Sequence, residues 1–272
     1  MIRRPPRSTL DRSSAASDVY KRQLLYLEDF GDLTLAEACR DADRARLVSL
    51  YRQAIDQLVL LQVKGTQPPA PGCIAFHRRF DVSLLMWEFD HFLEYGIAAR
   101  LGQPMKPADD AAVRAAFQRI AELLAGQPQV FVHRDYHSRN LMVDGARLGI
   151  IDFQDALMGP ATYDLASLLK DAYIELDDAV VDGLVDHFLD GLAAQGQGWA
   201  DRAAFRRLFD FTSIQRNLKA AGRFVYIDRV KHNPKFLADI PRVLGYVKRN
   251  LSKYPELATL RQHLAPYVSE LQ

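Results

Sequence analysis

Between residues 128 and 164 the hydrophobic spacing switches, and that switch limits the fold more than any other feature. Before it, residues 43–62 (DRARLVSLYRQAIDQLVLLQ) place Leu47, Leu50, Tyr51, Ala54, Ile55, Leu58 and Leu61 at intervals of three and four, which predicts an amphipathic helix. KGTQPPAPG breaks it, and two more helical patterns follow at about 80–100 and 109–125, separated by GQPMKP. Then QVFVHRD and LMVDGARLGIIDF alternate or run apolar over short lengths, with Asp144-Gly145 as a hairpin turn. From residue 164 the pattern is helical to the end, interrupted near AAQGQGW, HNP and KYP. The prediction is an α+β fold, mainly helical, with small β-hairpins in its middle. Those hairpins carry the polar residues of interest, as expected for loops held on a rigid scaffold.

His133-Arg134-Asp135 is followed by Asn140, giving H-R-D-x-x-x-x-N, and Asp152 comes twelve residues later in Ile150-Ile151-Asp152-Phe153. Transfer of a phosphoryl group from a nucleotide needs an oriented acceptor hydroxyl, a group to take its proton, and cations to neutralise the phosphates. Asp135 suits the proton-accepting role. Asn140 and Asp152 offer the hard oxygen ligands that Mg²⁺ takes, and Mg²⁺ draws its remaining ligands from water and phosphate. His133 reads as an organiser of the loop, Arg134 as a candidate for a direct catalytic role, and His137 and Arg139 as candidates for substrate contact. Asp164 falls where a helix should begin, so it reads as an N-cap that could also tie that helix to the catalytic loop. A lone Asp–His pair or an Asp-Gly hairpin is commonplace; base, amide and acid together at this spacing are not.

Composition narrows the class further. A hydrophobic fraction of 49% and a charged fraction of 25% are ordinary for a soluble protein, and no apolar run approaches the roughly 18 residues of a membrane span. Cys39 and Cys73 share no motif, which suits a reducing cytoplasm and no metal or disulfide role. Residues 1–23 carry six Lys/Arg against Asp11 and Asp18, a net +4, so the remainder is −3 within an overall +1. A mildly acidic body without a basic stripe argues against nucleic-acid binding.

VHRDYHSRNLMV, GIIDFQDALMGPATYDLASLL and the hinge-like LLYLEDFGD together resemble the aminoglycoside phosphotransferase/choline kinase family, and within it the bacterial kinases of cell-wall amino sugars. The resemblance covers residues 24–272 and implies a protein-kinase-like fold. It also implies ATP- and Mg²⁺-dependent phosphorylation of a sugar's anomeric hydroxyl, with Asp135 as base and Asn140 and Asp152 as metal ligands. Gln154 stands where protein kinases carry glycine after Asp-Phe, so no activation-loop switch is implied. Residues 24–32 would be the last strand of an N-lobe and its hinge, with Leu27, Glu28 and Phe30 on the adenine side. Residues 33–272 would be the C-lobe, holding a catalytic loop at 133–140 and a metal-binding segment at 150–155. Aminoglycoside, choline and homoserine kinases of the same family, and a non-catalytic pseudokinase-like module, are the alternatives.

For the acceptor, Arg216, Lys219 and Arg223 recur at helical spacing on one face and could hold a lactyl carboxylate. Glu88 and Asp90 could bind sugar hydroxyls, while Trp87 and Phe89 read as core. The expected partner is a small-molecule sugar, with no membrane or nucleic acid, and the expected state is a cytoplasmic monomer. Residues 1–23 have no hydrophobic period and a Ser/Arg bias, so they read as a disordered tail. They closely resemble translated sequencing-adapter DNA, a non-native extension. No phosphate-covering loop or strand lysine precedes residue 24, so the N-lobe is expected to be largely missing, nucleotide binding weak and turnover slight or absent.

Overall fold

The computed structural model describes residues 13–18, 23–67 and 72–272, with side chains from Glu28 onward except at 68–71. Its first element is a β-hairpin. Strand β1 (Ser13–Asp18) pairs antiparallel with β2 (Gln23–Glu28). This departs from the expectation that residues 1–23 stay outside the fold. Pairing uses only backbone N–H and C=O groups, so a Ser/Ala stretch without hydrophobic period can still complete the edge of a neighbouring strand. Residues 1–12 and 19–22 lie outside the described residues.

A short helix, α1 (Leu35–Ala38), opens with a reciprocal capping box between Thr34 and Glu37. Helix α2 (Arg44–Gly65) is capped by Asp43, whose side chain accepts from the Arg46 N–H. Helix α3 (Val82–His91) continues as a π-helical stretch, Phe92–Ala99, and α4 (Pro107–Ala125) starts on a proline. All three long helices coincide with the predicted periods.

The middle of the chain forms two small antiparallel sheets. Strand β3 (Gln129–Val132) pairs with β6 (Leu157–Pro160), and between them β4 (Leu141–Asp144) pairs with β5 (Arg147–Ile150). The turn of the inner hairpin is Gly145-Ala146, one residue beyond the predicted Asp144-Gly145, because Asp144 still pairs with Arg147; Gly145 takes φ 62°. Strand β6 was not predicted, because its Gly-Pro end reads as a break. Pro160 is tolerated at the end of a two-stranded pair.

Helices α5 (Tyr163–Leu169), α6 (Asp178–Ala194), α7 (Arg202–Lys231), α8 (Ile240–Lys253) and α9 (Ala258–Leu264) complete the chain. At 30 residues α7 is about 45 Å long. Two apolar cores result. One gathers α3, α4, α7, α8 and α9 with Val132 and Leu157. The other gathers α1, α2, α5 and α6 with Tyr136, Leu141 and Val143. Residues 133–140 run along the seam between them. No helix among the described residues is long and apolar enough to cross a membrane. Cys39 is buried and Cys73 exposed, both as free thiols.

Candidate active site

The chain leaves β3 at Val132 and enters the segment 133–140. Two aspartates at either end of α5 grip it. Asp164 accepts the backbone N–H groups of His133 (2.7 Å) and Arg134 (2.9 Å) on its two oxygens. Asp171 accepts the Ser138 N–H at 2.9 Å and the Tyr173 N–H at 3.1 Å. Tyr136 adds a third anchor, its hydroxyl donating to the Ala54 carbonyl at 2.8 Å. Asp164 is therefore not the N-cap of α5. Thr162 holds that position without a side-chain cap bond, and Asp164 lies inside the first turn. Its tie to the catalytic loop, the second half of the expectation, is present. Burial pushes its carboxyl up to about 7, opposed by the two N–H donors. Asp164→Asn presents an amide donor to one of those N–H groups. It is expected to lower kcat by about 10- to 100-fold through misplacement of the loop, with the circular dichroism spectrum unchanged; unaltered kcat would contradict the clamp.

Between these anchors Asp135 is half-buried. Burial, the largest influence on its carboxyl, pushes it up, but Lys219, Arg216, His137 and Arg134 together bring it below the usual carboxylate range. The group is an ionised carboxylate. His133 organises, as expected: its Nε2–H donates to the Ile151 carbonyl at 3.0 Å, joining the loop to the segment before Asp152. Arg134 behaves otherwise. Its guanidinium donates to Glu88 at 2.9 Å, so it works as a buried anchor and an electrostatic neighbour of Asp135.

Asn140 connects the two acids. Its Nδ2 donates to the Asp135 carbonyl at 3.0 Å and to the Asp152 carboxylate at 3.3 Å. Its Oδ1 makes no hydrogen bond among the described residues. Asp152 is exposed and also accepts from Gln154 at 2.8 Å. Arg134 (φ 78°) and Asp152 (φ 70°) both hold left-handed backbone conformations, rare for residues with a side chain. Such strain costs about 1–3 kcal/mol each and collects at functional sites. A free amide oxygen beside an exposed carboxylate fits Mg²⁺. No group of three or more His, Cys, Asp or Glu residues among the described ones could hold a metal, so a cation here takes its other ligands from water and substrate.

Two of the residues expected at the hinge meet the same hairpin. Glu28 is exposed and pairs with Arg147 of β5 at 2.7 Å. The Phe30 ring lies where a Cβ on Gly149 would collide with it, so glycine at that position lets the ring close on β5. The Leu27 side chain lies outside the described residues.

On the acceptor side the expected residues separate. Glu88 is fully buried and held by Arg134 (2.9 Å), Lys219 (3.1 Å) and Gln215 (2.9 Å), so it presents no surface to sugar hydroxyls. Asp90 pairs with Arg114 on an exposed face between α3 and α4. Lys219 also reaches the Tyr163 hydroxyl at 3.3 Å. Arg223 is exposed, with its guanidinium 4.8 Å from the Tyr226 ring centre. Arg216 is buried and, with Lys219, acts on Asp135. The single basic face thus divides into two cations at the base and one outside. Trp87, expected in the core, is 59% exposed, whereas Phe89 is core and stacks on Phe117 at 4.0 Å. Arg139 lies 3.6 Å over the Tyr173 ring. Asp171 and Gln215 were not predicted; only the seven-residue interval between Asp164 and Asp171 hints at a paired clamp.

A family profile described as "Phosphotransferase enzyme family" matches residues 17–205. An N-acetylmuramate/N-acetylglucosamine kinase of Pseudomonas putida is 34% identical over 274 residues, covering 96% of this chain and 77% of that protein. A kinase of the same name from Neisseria meningitidis is 33% identical over 246 residues, covering 90% and 72%. A choline kinase of Streptococcus pneumoniae superposes with a TM-score of 0.56 over 90% of this chain and 75% of its own, at 15% identity, and so shares the fold.

Proposed function

We propose that this chain, which belongs to the phosphotransferase enzyme family, transfers the terminal phosphoryl group of ATP to the anomeric hydroxyl of N-acetylmuramate or N-acetylglucosamine. The observation that carries this reading is the Asn140 amide, which joins the backbone of the base to the carboxylate of the metal segment within 3.3 Å. In the reaction the sugar oxygen forms a bond to phosphorus as the bond to the β-phosphate oxygen breaks, and the hydroxyl proton passes to Asp135. An anomeric hydroxyl is more acidic than an ordinary alcohol, so a carboxylate base is sufficient. Asn140 and Asp152 would hold Mg²⁺, which when bound neutralises phosphate charge. Glu28 and Phe30 would border the adenine. Positioning and charge neutralisation supply most of the acceleration. His133, Asp164 and Asp171 contribute by fixing the loop. Need for ATP is the basis for a cytoplasmic location.

A panel of N-acetylmuramate, N-acetylglucosamine, choline, homoserine and an aminoglycoside with Mg²⁺ and ATP tests the reading. Phosphorylation of either amino sugar at the anomeric oxygen, seen by ³¹P NMR, supports it; turnover of another acceptor alone replaces it. Asp152→Asn is expected to raise the Mg²⁺ concentration for half-maximal rate about ten-fold or more, since outer and inner metal contacts weigh on this scale. An unchanged Mg²⁺ dependence would remove Asp152 from the metal site.

A further inference from the structure

Among the described residues, one buried cation stands without a direct contact to an acid. Arg216 is 7% exposed, yet among the described residues its guanidinium makes no hydrogen bond and no ion pair. The other buried acids and bases among the described residues each have a partner. Glu88 meets Arg134 and Lys219, Asp164 and Asp171 take backbone N–H groups, Lys170 meets Asp178, and Asp210 meets Lys253 and Tyr254. None of its nitrogens is among the fully enclosed polar atoms that lack a partner, so the guanidinium remains open to a group from outside the fold. Arg216 stands on α7 between Gln215 and Lys219, both of which are tied to Glu88. Its charge acts on Asp135, His137, Tyr163, Asp164 and Tyr173. A second vacancy lies in this group, since the buried Nδ1 of His137 also has no partner.

We propose that Arg216 and His137 form an anion subsite beside Asp135 that takes a carboxylate carried by the acceptor, and so favours an acidic amino sugar over its neutral analogue. This rests on the reading of Asp135 as the base toward an amino sugar. The flat fork of a guanidinium matches a carboxylate with two parallel hydrogen bonds, and Arg216 has them free. A phosphoryl group offers the same oxygen chemistry. The phosphate side, however, is drawn by Asn140 and Asp152 at the ends of the β4–β5 hairpin, whereas Arg216 stands on α7 beside Gln215 and Lys219, which are tied to Glu88. Of the three cations predicted on one face, only Arg216 combines nearness to the base with an empty coordination; Lys219 is held by Glu88 and Arg223 is outside.

The test compares the chain with Arg216→Gln and Arg216→Lys. Calorimetry without nucleotide gives Kd for N-acetylmuramate and N-acetylglucosamine, and steady-state assays with ATP give KM and kcat for each. The loss of N-acetylmuramate affinity in Arg216→Gln is expected to exceed the loss for N-acetylglucosamine at least ten-fold, with part of it restored in Arg216→Lys. Equal losses on the two sugars would overturn the subsite. So would a fall in kcat alike for both with KM unchanged, the signature of a residue serving the transferred phosphoryl group. Melting without ligand is the check on folding: Arg216→Gln should melt no lower than the parent, and a clear fall would mean the charge is stabilised within the fold, against the proposal. The two readings fail separately. Selective N-acetylmuramate binding through Arg216 without transfer would sink the kinase reading alone. Transfer to both sugars with equal losses in Arg216→Gln would sink the subsite alone.

Discussion

Asp135→Asn is expected to lower kcat for phosphoryl transfer by about 10²- to 10⁴-fold, the range for removing a positioned general base. The substitution preserves shape and removes the charge, so its effect isolates proton transfer from loop geometry. The loop should stay in place, because what fixes it is independent of the Asp135 carboxylate: Asp164 on the His133 and Arg134 amides, Asp171 on the Ser138 amide, and Tyr136 on the Ala54 carbonyl. The Asn140 bond to residue 135 is made to its carbonyl and survives too. Binding of the Mg²⁺-nucleotide should therefore change by only a few-fold. A fluorescent nucleotide titration beside a rate measurement separates the two quantities. Retention of more than about a tenth of the rate, far above the range for a general base, would assign the proton to another acceptor.

The expectation for Asp135 came from the sequence because its signal is local. Asp135, Asn140 and Asp152 fall within eighteen residues, on the segments that lead into and out of a hairpin announced by its period and Asp-Gly pair, and the structure joins them through one amide. What was not legible depends on pairing across long separations. Glu88 meets Arg134 across 46 positions and Gln215 across 127. Nothing in MWEFDHF tells that Glu88 points inward to two cations while Trp87, next to it, is exposed. Helical spacing likewise put Arg216, Lys219 and Arg223 on one face but could not say which of them would be spent on an internal acid. The β1 strand escaped notice for another reason: a pairing made by backbone groups leaves little mark on a Ser/Ala sequence.

Glu88→Ala is expected to reduce the unfolding free energy by about 3–5 kcal/mol, the range for removing one member of a buried ion pair. The carboxylate is fully buried, and its loss leaves the Arg134 and Lys219 cations facing each other with side chains only 14% and 21% exposed. The melting temperature should fall by on the order of 10 °C for a chain of this size. Removing both signs is a different operation. Glu88→Leu with Lys219→Met replaces one buried pair by apolar volume and should recover part of the loss, so the two changes are expected to be non-additive in a double-mutant cycle. The pH dependence follows from the same contacts. Burial, the largest influence, pushes the Glu88 carboxyl up, but Lys219, Arg134 and the Gln215 hydrogen bond hold it below its ordinary 4.5. A depressed value in the fold means that the stabilisation is present above 4.5 and is lost as pH falls through the lower folded value. The gap between parent and Glu88→Gln should therefore be widest near neutrality and narrow in acid; a gap independent of pH would mean that packing, not charge, gives Glu88 its weight. Activity should fall with stability in Glu88→Ala, because Arg134, left-handed in its backbone and next to Asp135, loses the hydrogen-bond partner of its guanidinium. The buried acid is thus a support for the site, placed where two cations needed for the field around Asp135 would otherwise repel one another.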